Sequence, residues 1–389
     1  MVQKIFLISY FLFLISYSAF SQSDSCHLRI SLLTCGPGEE LYSTFGHSAV
    51  RVTDSISNED IVYNYGTFNF DEPGFYTKFV RGKLMYYLST QDFISFKQDY
   101  EQEKRSMVEQ VLNLSCSEKN KMAKLLMQNL MGTNKFYKYD FFFDNCTTRL
   151  RDLLEKSADS SVRYAAILNR PTTFRQHIFE YMDLNNFQWT KLGMDLLLGA
   201  KTDAVMSNRE AMFLPDYLLK GFDSAAIGGR PVLRSKNILI DIAGVKEQSN
   251  FFVTPLFIFS LLFIAIVLLS ISKNNFIQRL LYGFDGFLFF MAGFCGVLIL
   301  FMWFGTDHIV CRNNYNLLWT WPTHFVMAFF IHSRKTWPKI YFTITAVAQL
   351  IVLVVWFFLP QQMNPAFIPI ILLLIFRSIV YAKQPVNNI

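Results

Sequence analysis

The sequence predicts an α+β domain exported across a membrane, followed by a bundle of about five transmembrane helices. Three observations carry that prediction. Residues 1–21 begin Met1-Val2-Gln3-Lys4, run apolar to Phe20 and place small residues at Ala19 and Ser21, the layout of a secretory signal peptide cleaved after Ser21. Residues 22–248 mix short alternating runs with amphipathic stretches, the pattern of an α+β domain. Residues 249–389 are dominated by apolar runs, the first of which, 251–271, holds 21 residues without a charge and is long enough to cross the hydrocarbon core.

Four further runs follow at 281–304, 317–331, 340–359 and 366–381, with Pro322 and His324 inside the third. Their orientation can be read independently of the signal peptide. With residues 22–250 outside, the loops 272–279 and 332–339 face the cytoplasm; they carry Lys273, Arg279, Arg334, Lys335 and Lys339 and no acid. The opposite loops, 305–316 and 360–365, carry Arg312 as their only Lys or Arg, in agreement with the positive-inside rule. Asp285 and Arg377 fall near the cytoplasmic ends of their runs and are expected at the interface.

The formal charge of +6 is spread along the chain, with no basic tract interleaved with aromatics, so nucleic acid is not an expected partner. Of six Cys, four lie in the exported half, where an oxidising compartment permits disulfides. No Cys-x-x-Cys pair occurs, which removes zinc-ribbon and thioredoxin-like readings.

Within the exported half, residues 27–35 are strand-like and Gly36-Pro37-Gly38 breaks the chain. Residues 39–45 allow one or two helical turns, 48–52 and 61–70 are strands, Asp71-Glu72-Pro73-Gly74 is a turn, and 83–88 is strand-rich. Helices are expected over 94–112 and 117–130, from Cys146 onward, and through most of 163–200. Residues 214–232 read as a loop-rich cover and 238–240 as a last short strand.

The chemistry centres on Phe141-Phe142-Phe143-Asp144-Asn145-Cys146-Thr147-Thr148-Arg149. Asn145 is a good N-cap, which puts Cys146 at the first helical position, where backbone N–H groups and the helix dipole favour a thiolate. A Cys beside Phe residues is more commonly packing, but an exported chain gains little from a spare thiol. The partner base is His47, preceded by Gly46 and opening a strand. A strand-borne imidazole facing a thiol at a helix start is the papain-like arrangement. Asn64, on the next strand, is the candidate to orient the second ring nitrogen. Ser43, Tyr42, Tyr139 and Asn145 are polar candidates for the surrounding substrate cleft, and His308 and Asn314, in the outward segment 307–319, for holding a lipid headgroup or substrate. Arg149 and Asp152 are spaced to pair on the Cys helix.

The order of these parts, His on a strand and Asn-Cys much later, is reversed from papain. It resembles circularly permuted papain-like folds such as the lecithin:retinol acyltransferase-like group and NlpC-type hydrolases. Ser43-Thr44-Phe45-Gly46-His47-Ser48-Ala49-Val50-Arg51-Val52, Tyr63-Asn64-Tyr65-Gly66 and Phe143-Asp144-Asn145-Cys146-Thr147-Thr148-Arg149 are similar to the periplasmic domain of the Lnb-type bacterial lipoprotein N-acyltransferases. Asn314-Tyr315-Asn316-Leu317-Leu318-Trp319, followed by Pro322, resembles that family's membrane half. The resemblance implies a circularly permuted papain-like, NlpC-like domain in the periplasm, held at the bacterial inner membrane. It implies transfer of an acyl chain from a phospholipid donor, through a Cys146 thioester assisted by His47, to the α-amino group of a lipoprotein N-terminus. That chemistry calls for no metal and no cofactor. A membrane-tethered peptidase or amidase acting on cell wall, using the same Cys–His pair, and a non-enzymatic envelope scaffold are the rival classes.

Overall fold

Seven antiparallel strands make the sheet that organises the N-terminal half. In chain order they are β1 (Leu28–Cys35), β2 (His47–Asp54), β3 (Asp60–Thr67), β4 (Met85–Asp92), β5 (Met107–Leu112), β6 (Phe136–Lys138) and, after a long helical stretch and three short strands, β10 (Leu233–Ile240). They lie side by side as β10-β5-β1-β2-β3-β4-β6. The computed structural model describes residues 26–38, 40, 43–242, 250–331, 333 and 335–383; the expected signal peptide, residues 1–21, and Tyr42 lie outside the described residues.

Strand β1 is buried on both faces, and its alternation divides the core in two. Ile30 and Leu32 join Val50, Tyr65 and Leu88 on one face, under helices α3 (Cys116–Leu130), α4 (Cys146–Ser157) and α8 (Pro215–Ser224). Leu33 and Cys35 join Ala49 and Val62 on the other, under Phe96 and Tyr100 of α2 (Phe93–Gln102). Each fully buried Leu or Ile contributes roughly 2 kcal/mol from water exclusion. Leu150, Leu153 and Leu154 give α4 its apolar stripe.

The expected helix over 94–112 is corrected. Helix α2 stops at Gln102, the chain turns through Lys104 in the left-handed region (φ 54°), and Met107–Leu112 is strand β5 between β1 and β10. Glu109 made this strand look amphipathic and helical. It is in fact buried between Arg29 (2.8 Å) and Arg51 (3.1 Å), partners from other strands. Residues 214–232 are likewise not mainly loop: Pro215 starts α8, and the hairpin β8 (Ala226–Ile227) and β9 (Arg230–Pro231) pairs with β7 (Val162–Arg163). The remaining helices of this half are α1 (Phe75–Val80), α5 (Phe174–Leu184), α6 (Gln188–Leu197) and α7 (Asn208–Ala211).

The C-terminal half is helical. Among the described residues three helices are long and apolar enough to cross a membrane: α10 (Asn275–Phe304), α12 (Thr336–Val355, extended by a 3-10 turn) and α13 (Ile368–Ala382, preceded by one). Helix α9 (Pro255–Ser270) is shorter. The run 317–331 is no single helix; it is broken into 3-10 turns around the five-residue α11 (Thr323–Met327). Pro322 precedes that break, and Gly293 and Gly296 of α10 accept it: a Cβ there would sit 1.9 Å from the Phe325 nitrogen or 1.6 Å from the Thr320 carbonyl oxygen. Asp285 and Arg377 are buried inside the helical half and meet each other. They are 0 % and 2 % exposed and form a two-pronged pair (2.7 and 2.6 Å), with Tyr381 donating to the same carboxylate and Ser270 accepting from the guanidinium.

The two halves are joined through the outward loops. Gly199 donates to the Val310 carbonyl (2.8 Å), and its lack of a Cβ lets the Arg312 carbonyl come close. Asn314 donates to Leu196 O, Asn316 to Asp195 O and Gln361 to Leu198 O. Beneath this seam Arg175 is fully buried, held by Asp195, Asp203 and the Leu198 and Gly199 carbonyls. On the other flank Lys138 pairs with Asp307 (2.7 Å), and the Asp307 N–H donates to Arg81 O (3.0 Å).

Candidate functional site

Cys146 is the first residue of α4, and the local sequence dictates that start. Asn145 is extended (φ −115°, ψ −177°), its side-chain oxygen accepts from Thr148 N (2.8 Å), and Thr148 Oγ1 accepts from Asn145 N (2.9 Å). Such a reciprocal cap stabilises a helix start by about 1 kcal/mol. The Asn145 amide also donates to the carbonyls of Phe141 and Phe213, both at 2.8 Å, so the cap ties the aromatic approach to the segment before α8. All its polar atoms are engaged within the protein.

His47 is the first residue of β2. Gly46 ahead of it has φ +78°, and a Cβ there would lie 2.6 Å from the Cys35 carbonyl, so only glycine delivers the imidazole at this place. The register Val50↔Tyr63 puts His47 and Asn64 on the same face of the sheet. Asn64 Oδ1 lies 2.6 Å from His47 Nε2. An amide oxygen only accepts, so Nε2 carries the proton and Nδ1 is left for the thiol.

The thiol receives the His47 ring, the Ser48 backbone N–H and, at 3.6 Å, Thr147 Oγ1. Burial pushes the Cys146 thiol up, but the charge and hydrogen bond of His47, with Thr147 and Ser48, outweigh it and bring it down to about 7. For His47 burial acts downward and is outweighed by the facing thiolate and the Asn64 hydrogen bond, so its pKa is raised. Cys35 is the internal contrast: burial without an adjacent imidazole pushes its thiol up to about 12. Cys146 is a free thiol.

Gly66, φ +90°, closes the other side; a Cβ built there would lie 3.6 Å from Cys146 Cβ, 3.7 Å from Tyr139 Cε2 and 4.0 Å from Tyr137 Oη. Tyr139 therefore flanks the thiol, stacked on Tyr86 at 4.4 Å. Tyr137, two residues before Tyr139 along an extended chain, points the same way, and that spacing is its one signal in the sequence. Its hydroxyl is buried without a hydrogen-bond partner among the described residues, and burial pushes its pKa far above the usual phenol range. The Arg149 guanidinium lies 3.5 Å from the Tyr137 ring centroid and is forked onto Asp144 (2.7 and 2.8 Å), not paired with Asp152, which takes Arg151 and Arg209.

Cys146, His47, Asn64 and Tyr139 thus converge. Ser43 shapes the turn leading to Gly46, its hydroxyl donating to Glu40 O (2.9 Å) and its carbonyl accepting from Gly46 N (2.9 Å). His308 and Asn314 belong to the seam between the halves: the His308 ring contacts the carbonyls of Phe79 (3.3 Å) and Val80 (3.1 Å), and Asn314 spans Leu196, Asn316 and Gln361. Among the described residues no group of three or more His, Cys, Asp or Glu side chains is placed to hold a metal ion.

Fold and site together define a membrane protein whose α+β domain presents a buried thiol paired with imidazole beside an apolar helical anchor. Comparison with known families makes this particular. The Lnb N-terminal periplasmic domain matches residues 17–180, and the Lnb transmembrane domain matches residues 246–386. The chain belongs to the Lnb family, with a periplasmic N-terminal domain and a C-terminal membrane domain. Neither curated proteins nor solved structures gave a match.

Proposed function

We propose that this protein is a thiol acyltransferase of the bacterial inner membrane that moves an acyl chain from a phospholipid to the α-amino group of a lipoprotein N-terminus. The observation that carries the reading is the Cys146 thiol at a helix start, facing a His47 ring whose Nε2 is fixed by Asn64 at 2.6 Å. Family membership and an apolar membrane domain in the same chain support a lipid substrate over a cell-wall one.

In the first half-reaction the Cys146 thiolate attacks the ester carbonyl of a phospholipid, forming the C–S bond. The tetrahedral oxyanion is met by first-turn N–H groups of α4 and by the Tyr137 hydroxyl, a donor at every working pH because its pKa is raised. The C–O bond breaks, and protonated His47 gives its Nδ1 proton to the departing lysolipid oxygen. In the second half-reaction a neutral amine attacks the thioester carbonyl, neutral His47 takes the amine proton, and the C–S bond breaks to return the thiolate. Asn64 holds the imidazole in the tautomer both steps use.

The test is intact mass of the full chain after incubation with phospholipid vesicles, before and after neutral hydroxylamine. An acyl adduct on Cys146 that hydroxylamine removes, absent in Cys146→Ala, and discharged onto a diacylated lipopeptide is the expected result. No adduct on an alkylatable Cys146 sinks the reading, and cleavage of peptidoglycan fragments would replace it with the peptidase class.

A further inference from the structure

The N-terminal domain carries an apolar face that its own fold leaves uncovered. Tyr76 is 77 % exposed, Phe70 59 % and Phe79 51 %, and Val80 stands out beside them. Contiguous exposed aromatics on an otherwise folded domain mark a contact surface. What covers this face follows from where it is tied. The ring of His308 contacts the Phe79 and Val80 carbonyls, and the Asp307 N–H reaches Arg81 O at 3.0 Å. Both residues follow directly after the outward end of α10. That 30-residue helix, roughly 45 Å long, carries exposed Phe301 and Phe304 at this end, so α1 sits beside the outward end of an apolar span. A cleft of about 500 Å³ between them is lined by Tyr76, Thr77, Val80 and Arg81 on one side and Phe301 and Gly305 on the other. Arg81 of this cleft and Lys83, two residues on, are both exposed, basic side chains of the kind that meet lipid phosphate.

We propose that α1 and Phe70 form a lipid-docking face, seated in the headgroup–acyl boundary of the leaflet into which α10 emerges, with phospholipid as its occupant. Aromatic rings at that depth, flanked by basic residues, match the chemistry of a membrane interface. The face also leads inward. Phe70 touches Phe75 (5.0 Å between ring centroids), Phe75 touches Phe68 (5.9 Å), Phe68 touches Tyr86 (5.2 Å) and Tyr86 stacks on Tyr139 (4.4 Å), which flanks Cys146. This last link rests on the acyltransferase reading: the row of rings is the apolar wall along which an acyl chain passes from bilayer to thiol.

The experiment places a photoreactive benzoylphenylalanine at Tyr76 or Phe79 of the full chain in phosphatidylethanolamine–phosphatidylglycerol nanodiscs and reads intact mass after irradiation. Phe304 is the positive control. Ile56 is the negative one; it is 73 % exposed, beyond the opposite end of β3, whose eight residues span roughly 25 Å. Phospholipid-sized adducts at 76, 79 and 304 with none at 56 are expected. Adducts at 304 but none at 76 and 79, or equal adducts at 56, overturn the proposal. Because the readout needs no turnover, lipid adducts on a chain whose Cys146 never acylates would refute the acyltransferase reading and leave the docking face standing.

Discussion

Replacing His47 by Ala tests the electrostatic core of the site without needing a substrate. Burial is the largest influence on the Cys146 thiol, and the His47 charge and hydrogen bond are the next two, which with Thr147 and Ser48 bring it to about 7. Without the imidazole the two largest lowering influences are gone and the thiol returns toward its ordinary value of 9.0. For a thiol back at that value the thiolate fraction at pH 7 falls from about one half to about one in a hundred, a loss of roughly fifty-fold. The more basic thiolate is intrinsically more nucleophilic, and a Brønsted slope of about 0.45 over two units restores roughly eight-fold. The net loss of reactivity toward an aromatic disulfide at pH 7 is therefore about six-fold. The midpoint of the pH profile is the sharper readout. The rate rises with pH as the thiol ionises, so the midpoint moves from about 7 in the native chain toward 9.0 in His47→Ala. The assay follows dithiodipyridine consumption with the Cys146→Ala trace subtracted. A native midpoint near 9, or one that His47→Ala leaves in place, refutes the coupling.

Other perturbations follow from the same contacts. Asn145→Ala removes the cap and two further donors and should cost about 1–2 kcal/mol, read as a lower unfolding midpoint, with Asn145→Asp keeping the cap and losing less. Gly46→Ala puts a Cβ against the Cys35 carbonyl at a left-handed φ; strain of roughly 1–2 kcal/mol displaces His47, and the thiol midpoint should move upward as in His47→Ala. Asp285→Asn leaves Arg377 buried without its counter-charge and should destabilise the membrane half by about 3–5 kcal/mol, while joint replacement of both residues by Leu recovers most of it, measured by thermal unfolding in detergent.

Much of this architecture is written in local sequence. The cap Asn145–Thr148, the left-handed Gly46 and the alternation through β2 and β3 are short-range signals, and they suffice to place Cys146, His47 and Asn64. Partnerships formed across the fold were not legible. Glu109 reads as a solvent-facing helix charge until Arg29 and Arg51 arrive from other strands, and Asp285 and Arg377 read as interfacial until they meet each other. Asn314 and His308 looked available because a polar outward loop has no visible partner in one dimension, yet both fasten the two halves together. Tyr137 is hidden for the opposite reason: an aromatic run suggests packing, and local sequence does not say that its hydroxyl ends without a partner among the described residues.

The fastening of the two halves changes the currency in which substrate is counted. Leu196, Leu198 and Gly199 on one flank and Lys138 and Arg81 on the other hold the periplasmic domain to the loops at the outward ends of the spans. In the proposed transfer, a thiol carried on such a platform diffuses in two dimensions with lipid donors and lipidated acceptors and meets them by lateral encounter. For the proposed transfer, bulk molarity is then the wrong variable and mole fraction in the lipid phase the right one. Adding inert detergent at constant lipid should slow turnover in proportion to surface dilution, whereas diluting whole vesicles with buffer should leave the rate per protein unchanged.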